Sequence, residues 1–304
     1  MILFLEQMLN GLQLGVTLFL LAGGLTLIFG IMGVINLAHG SLYMIGAYVA
    51  ATVSMASGSF FLGLLAALAA AAIVGMVMEF LVMRKLYARD HLDQVLATFG
   101  LILFFNEATV MIWGRNPVAM DVPEMLQGLV EIIPGVPYPV FRLVVLAVGL
   151  LVAVSLYFLI SKTRIGMLIR AGATHREMVG ALGVDIRLLY TLVFGFGALL
   201  AGLAGVMAGP TSSIEAGMGE SILILTFVVI VIGGIGSIRG ALVGAIFVGL
   251  VDTLGRAFLP NMLKLFLPPA QADGIGAGVS SMAIYLLMAL VLIWRPKGLF
   301  PAHD

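Results

Sequence analysis

The sequence has no cysteine, which excludes disulfides, thiolate nucleophiles and cysteine-bound metal. Charge is almost as scarce. Asp, Glu, Lys and Arg make up 10% of the 304 residues, where soluble domains carry about 25%. The 15 basic and 15 acidic residues cancel, so the charge balance calls for no nucleic-acid partner. The four histidines, His39, His91, His175 and His303, are dispersed and form no ligand set. Also missing are a glycine-rich phosphate loop ending in Gly-Lys-Ser or Gly-Lys-Thr, a His-Glu-x-x-His pair, a dinucleotide fingerprint and a Gly-x-Ser-x-Gly elbow. The expectation is a chain that is not an enzyme, binds no cofactor or metal of its own and does not hydrolyse ATP. Met1 to Glu6 carry no positive charge ahead of the apolar run, which argues against a cleaved signal peptide.

What fills the chain instead is hydrocarbon. Hydrophobic residues reach 62% and the mean hydropathy is +1.19, which predicts an all-α polytopic membrane protein, one transmembrane domain over residues 1–304 in contact with lipid. Apolar segments fall at 11–31, 34–55, 60–83, 94–113, 140–160, 188–208 and 221–232. An eighth ends near Phe258 and the last covers 279–294. That is nine crossings, with eight and ten as bounds. Gly30 and Gly33 separate the first two, and the second is expected to bend or re-enter near Gly40. Cations gather at Arg84–Arg89, Lys162–Arg187 and Arg295–Lys297, which places those ends in the cytoplasm and the N-terminus outside. Residues 114–139 have Arg115 as their only cation and contain Pro123, Pro134, Pro137 and Pro139. They read as a periplasmic connection with a short surface helix at 122–132.

Small residues recur where helices must approach. Gly11 and Gly15 share a face, Ala67, Ala71 and Gly75 form a row that continues to Glu79, and Gly197, Ala201, Gly205 and Gly209 repeat every four residues. The glycines at 33, 40 and 46 are loosely echoed at 236, 240 and 244. A duplicated transporter half and chance in a chain of 38 glycines both account for that echo.

The cationic stretch 161–187 is a polar island between two apolar segments. Within it Thr174 and Glu177 have the spacing of a capping box, which predicts a short helix from Thr174 through Leu182 stopped by Gly183. Two turns cannot be stable alone, so this helix must lie against something: the chain's own helices or a cytoplasmic partner. Polar residues inside apolar segments are costly and should face protein or an aqueous path. Asn36, His39, Asn106 and Glu107 are the candidates for such a path, with interhelical hydrogen bonding as the alternative. Too few acids lie at mid-membrane to favour a proton relay, which leaves an ion-coupled transporter or channel behind a pore moved by a separate engine.

Gly33-Val-Ile-Asn-Leu-Ala-His-Gly-Ser-Leu-Tyr-Met-Ile-Gly-Ala-Tyr48 resembles the opening signature of the branched-chain amino-acid ABC permeases, more the H-type than its M-type companion. Arg164-Ile-Gly-Met-Leu-Ile-Arg-Ala-Gly-Ala-Thr174, Ala181-Leu-Gly-Val184, Ala201-Gly-Leu-Ala-Gly205, Gly233-Gly-Ile-Gly-Ser237 and Arg295-Pro-Lys-Gly-Leu-Phe300 are similar to later parts of that family. The resemblance implies an ABC importer permease fold in the bacterial inner membrane. It also implies a second homologous permease, two ATPase subunits carrying ATP and Mg2+, and a periplasmic binding protein that supplies leucine, isoleucine or valine. Urea, short amides and aromatic or other carboxylates are the alternative cargoes. By the same resemblance residues 174–183 would be the coupling helix, with Thr174, Arg176, Glu177, Met178 and Leu182 at the ATPase contact.

Overall fold

The computed structural model describes residues 2–133 and 135–301; Pro134 and His303 lie outside the described residues. The helices are α1 (Ile2–Met32), α2 (His39–Ser57), α3 (Phe60–Leu86), α4 (His91–Trp113), α5 (Val140–Lys162), α6 (Arg164–Ala181), α7 (Ile186–Ala208), α8 (Met218–Gly233), α9 (Ile238–Leu263) and α10 (Pro269–Trp294). Glycine ends several of them. Gly33 stops α1 at φ +65° and Gly114 stops α4 at φ +85°, a region closed to most side chains.

Seven helices among the described residues are long and apolar enough to cross a membrane, namely α1, α3, α4, α5, α7, α9 and α10. The expected count of nine included two that fall short. The 19 residues of α2 are diluted by His39, Ser41, Thr52, Ser54 and Ser57. The 16 residues of α8 cover about 24 Å, less than the roughly 30 Å of a bilayer core.

The chain folds as two compact units, one of Leu20–Pro123 and Leu151–Ile224, the other of Met1–Phe19, Glu124–Leu150 and Leu225–Asp304. In the first, α7 is the central helix. Gly197 sits on Gly24 of α1, Gly202 on Gly46 of α2, Gly205 on the Tyr43 carbonyl, and Ala198 on Gly75 of α3. A methyl added to any of these glycines would overlap the facing atoms. Lipid offers no hydrophobic penalty to drive helices together, so this close van der Waals contact carries the association. The predicted row on α3 is buried as expected, with Ala67, Ala71 and Glu79 all at 0% exposure.

The second unit repeats the device. Gly11 and Gly15 of α1 meet Leu250 and Ala245 of α9, and the end of α8 crosses the start of α9 at Gly233 and Gly240. The C-terminal strand of chain closes on that crossing, with the amides of Leu299 and Phe300 donating to the carbonyls of Ile232 and Gly233 at 2.9 Å each. Lys264 pairs with Asp273 at 2.8 Å between α9 and α10.

The surface helix expected at 122–132 is absent. A single turn at Glu124–Leu126 leads into an antiparallel hairpin, β1 (Leu129–Ile133) and β2 (Val136–Pro139). Residues 129–133 are rich in β-branched side chains, which suit a pleated strand, and Gly135 at φ +81° serves the turn. The hairpin is anchored to α1 through Asn10 Oδ1, which accepts from the Tyr138 hydroxyl at 3.3 Å and from Arg142 Nη1 at 2.6 Å.

Candidate functional site

The cationic segment is longer and differently built than the capping box implied. Thr163, not Thr174, caps the start of α6, its hydroxyl accepting from the Gly166 amide at 3.0 Å. Thr174 lies inside the helix and donates its hydroxyl to the Arg170 carbonyl at 3.0 Å. The break comes one residue later, at His175, whose φ of −143° and ψ of 73° are not helical. A second short piece then runs to Ala181 and ends as expected at Gly183, φ +89°. There the Gly183 amide donates to the Gly180 carbonyl at 3.0 Å and the Val184 amide to the Val179 carbonyl at 3.4 Å, the paired bonds of a Schellman ending.

Thr174, just before the break, and Arg176, Glu177, Met178 and Leu182 on the second piece are all exposed, while Val179 is buried beneath that piece. Met178 at 61% and Leu182 at 79% exposure present apolar surface that the unit itself does not cover.

Beneath the piece lies a cavity of about 370 Å³ lined by Arg84, Tyr87, Arg176, Ile186, Arg187 and Tyr190. Its floor is an ionic knot. The end of α3 widens into a π-turn over Glu79–Met83, which turns both Glu79 and Met83 fully inward. Glu79 Oε1 accepts from the Tyr87 hydroxyl at 2.8 Å, and Oε2 accepts from Thr191 at 2.7 Å and Arg84 Nη2 at 3.1 Å. Arg84 also donates to Thr191 at 2.8 Å and stacks over Phe80 at 4.8 Å. Burial, with the hydrogen bond to Glu79 next, pushes the Tyr87 hydroxyl above the usual phenol range, so it stays a donor. Sequence reading reached Glu79 as the end of a small-residue row but missed the knot, because Thr191, which joins it to α7, arrives from 112 positions away, while Arg84 and Tyr87 are local. The cations at Arg84 and Arg187 were the available signal.

The four intramembrane polar residues separate into two groups. Asn36 and His39 are both fully buried where α1 passes into α2. Asn36 Oδ1 accepts the Ala38 amide at 3.0 Å, while its Nδ2 and both ring nitrogens of His39 have no partner of hydrogen-bonding geometry. Asn106 instead donates to Glu220 Oε1 at 2.5 Å, linking α4 to α8, and Glu107 is exposed on α4. Among the described residues, all buried polar side-chain atoms left without a partner lie between Thr26 and Ser54. No group of three or more His, Asp or Glu able to hold a metal occurs among the described residues.

A family model described as the branched-chain amino acid transport system permease component matches residues 7–293. The high-affinity branched-chain amino acid transport system permease protein BraD of Pseudomonas aeruginosa is 32% identical over 97% of this chain and 95% of its own length. The corresponding LivH protein of Escherichia coli is 30% identical over the same shares. A probable LivH of Methanocaldococcus jannaschii is 28% identical over 93% of this chain and 88% of its own. No solved structure matches the chain.

Proposed function

Because the chain belongs to the branched-chain amino-acid transport permease family, we infer that it is the multi-pass, non-catalytic subunit of an importer that carries leucine, isoleucine or valine across the bacterial inner membrane. The match over residues 7–293 carries this reading. The expected assembly has a second homologous permease, two ATPase subunits that bind ATP and Mg2+, and a periplasmic receptor. The whole chain acts as one permease domain in which α2 and α8 complete the membrane layer although each is too short or too polar to cross unaided. Residues 161–187 form the cytoplasmic loop, with 174–183 as the coupling helix, and residues 114–139 form the periplasmic connection.

The energy route starts at Thr174, Arg176, Glu177, Met178 and Leu182, seated in an ATPase cleft. Movement of this piece passes through Arg176, which faces the Tyr190 hydroxyl, into α7 and the Glu79 knot. From there it reaches the glycine crossings, where close-packed helices have discrete arrangements rather than a continuous range. A helix that drives such a change must make different contacts in the two states. Asn36, His39, Asn106 and Glu107 are assigned to the solute path.

The test is reconstitution with the matched receptor, second permease and ATPases in sealed vesicles, followed by uptake of labelled leucine, urea and an aromatic acid. ATP-dependent leucine uptake is expected. Uptake that ignores ATP and follows a proton or sodium gradient would replace this mechanism with ion coupling.

A further inference from the structure

We propose that the first turn of α2, with Asn36 and His39, is a carboxylate-binding station inside the permease for the transported amino acid, an inference that rests on the amino-acid reading above. The turn begins deep in its unit. The His39 ring faces the backbone of Leu21, which lies eleven residues before α1 ends at Met32, or about 16 Å along the helix. Asn36 and His39 are both at 0% exposure.

The turn is rich in donors and poor in acceptors. Its N-cap is Ala38, which offers no side-chain cap; the His39 and Ser41 amides turn back to the Asn36 and Ala38 carbonyls at 3.4 and 3.0 Å, and the positive end of the helix meets no acid in its own first turn. Asn36 folds over this end, its Oδ1 on the Ala38 amide, and its Nδ2 is left unpaired. His39 is the first helical residue, and both its ring nitrogens are also without a partner of hydrogen-bonding geometry, although the ring is turned to the Leu21 backbone. Buried polar groups are normally paired, and three such atoms at one helix end call for an occupant.

A second interrupted helix arrives at the same point. The first turn of α8 crosses that of α2 so tightly that a methyl on Gly40 or Gly219 would overlap the other's carbonyl. Two helix starts meeting within the membrane favour an anionic group there. The acid on the α8 turn, Glu220, is engaged by Asn106 and does not supply that group. Neither residues 1–83 nor residues 188–238 contain a lysine or arginine. A carboxylate would therefore be held by hydrogen bonds and helix ends alone, firmly enough to pause and weakly enough to leave. Leu223, beside Gly40, adds the apolar wall that a branched side chain needs.

The experiment uses the assembled transporter in nanodiscs without its receptor, and measures displacement of labelled leucine by leucine, leucinamide and 3-methylbutylamine. Leucine should compete at least tenfold better than either analogue. His39→Leu removes both ring nitrogens but keeps an apolar core group. Asn36→Asp keeps the oxygen that accepts from Ala38 and removes the amide donors. Each should lower leucine binding and uptake at least tenfold in complexes that assemble in normal yield. Wild-type uptake in either variant, or equal competition by leucinamide, overturns the proposal, and where a variant fails to assemble the competition alone decides. A wild-type complex that imports an aromatic acid and not leucine sinks the substrate reading only, and phenylacetate against phenylacetamide then replaces the leucine pair. Import of urea alone sinks both.

Discussion

Thr191 donates its hydroxyl to Glu79 Oε2 at 2.7 Å, joining α7 to the π-turn of α3 where the cationic segment re-enters the spans. Glu79 is fully buried and its partner Arg84 is 27% exposed, so removing the acid strands a cation that its surroundings can only partly hydrate. Breaking such a pair costs about 3–5 kcal/mol at full burial and less here. Losing the Thr191 hydroxyl costs about 1 kcal/mol. Glu79→Ala should therefore lower the apparent melting temperature in nanodiscs clearly more than Thr191→Val. Equal melting of the two variants would show that the knot is held by packing rather than by charge.

The glycine crossings make a paired prediction. A Cβ at Gly46 would lie 2.5 Å from the Gly202 Cα, so Gly46→Ala must force α2 and α7 apart. The expected loss is about 1–3 kcal/mol. Gly100 lies on α4 with nothing within 4 Å of such a Cβ. There Gly→Ala should be neutral or stabilising by up to about 1 kcal/mol. Detergent-resistant folded yield after heating checks both, and a Gly46→Ala variant as stable as Gly100→Ala would remove the close-packing argument.

Much of this architecture is legible in periodicity because membrane helices obey few rules at once. The rows Ala67–Ala71–Gly75 and Gly197–Ala201–Gly205 were readable, since small residues one turn apart have no other use in lipid. Gly33 and Gly183 were readable as stops, and both have positive φ. Local chemistry misled at Thr174. A Thr three residues before a Glu starts a helix only if the preceding residues are not helical, and α6 already runs from Arg164, so the hydroxyl turns back to Arg170. The crossing count failed at α2, an apolar helix diluted by polar side chains, and at α8, which is apolar throughout but only 16 residues long. Those are also the helices whose first turns abut at Gly40 and Gly219, a contact between distant positions that no local pattern encodes.

Met178 and Leu182 allow the coupling assignment to be tested with little risk to folding, because both side chains are mostly exposed. Truncating an exposed apolar side chain changes stability by roughly 0.5 kcal/mol or less, whereas truncating an anchor at an interface costs about 2 kcal/mol or more. Met178→Ala with Leu182→Ala should leave membrane insertion and melting unchanged while lowering receptor-stimulated ATP hydrolysis in the assembled transporter about tenfold. Unchanged stimulation in the double variant would move the ATPase contact elsewhere on the loop.

The natural absence of cysteine makes orientation directly measurable, since any single introduced thiol is the only one present. Glu177, Arg295 and Asp121 are all exposed, so each can carry a thiol without disturbing the core. The positive clusters around Glu177 and Arg295 predict cytoplasmic positions, and the acidic connection holding Asp121 predicts the opposite side. A membrane-impermeant maleimide applied to intact cells should therefore label Asp121→Cys and spare Glu177→Cys and Arg295→Cys until the membrane is opened. Labelling of Glu177→Cys from outside would invert the whole chain, because α7 leads from that loop to the 211–217 connection, and it would leave no route from a cytoplasmic ATPase to the Glu79 knot.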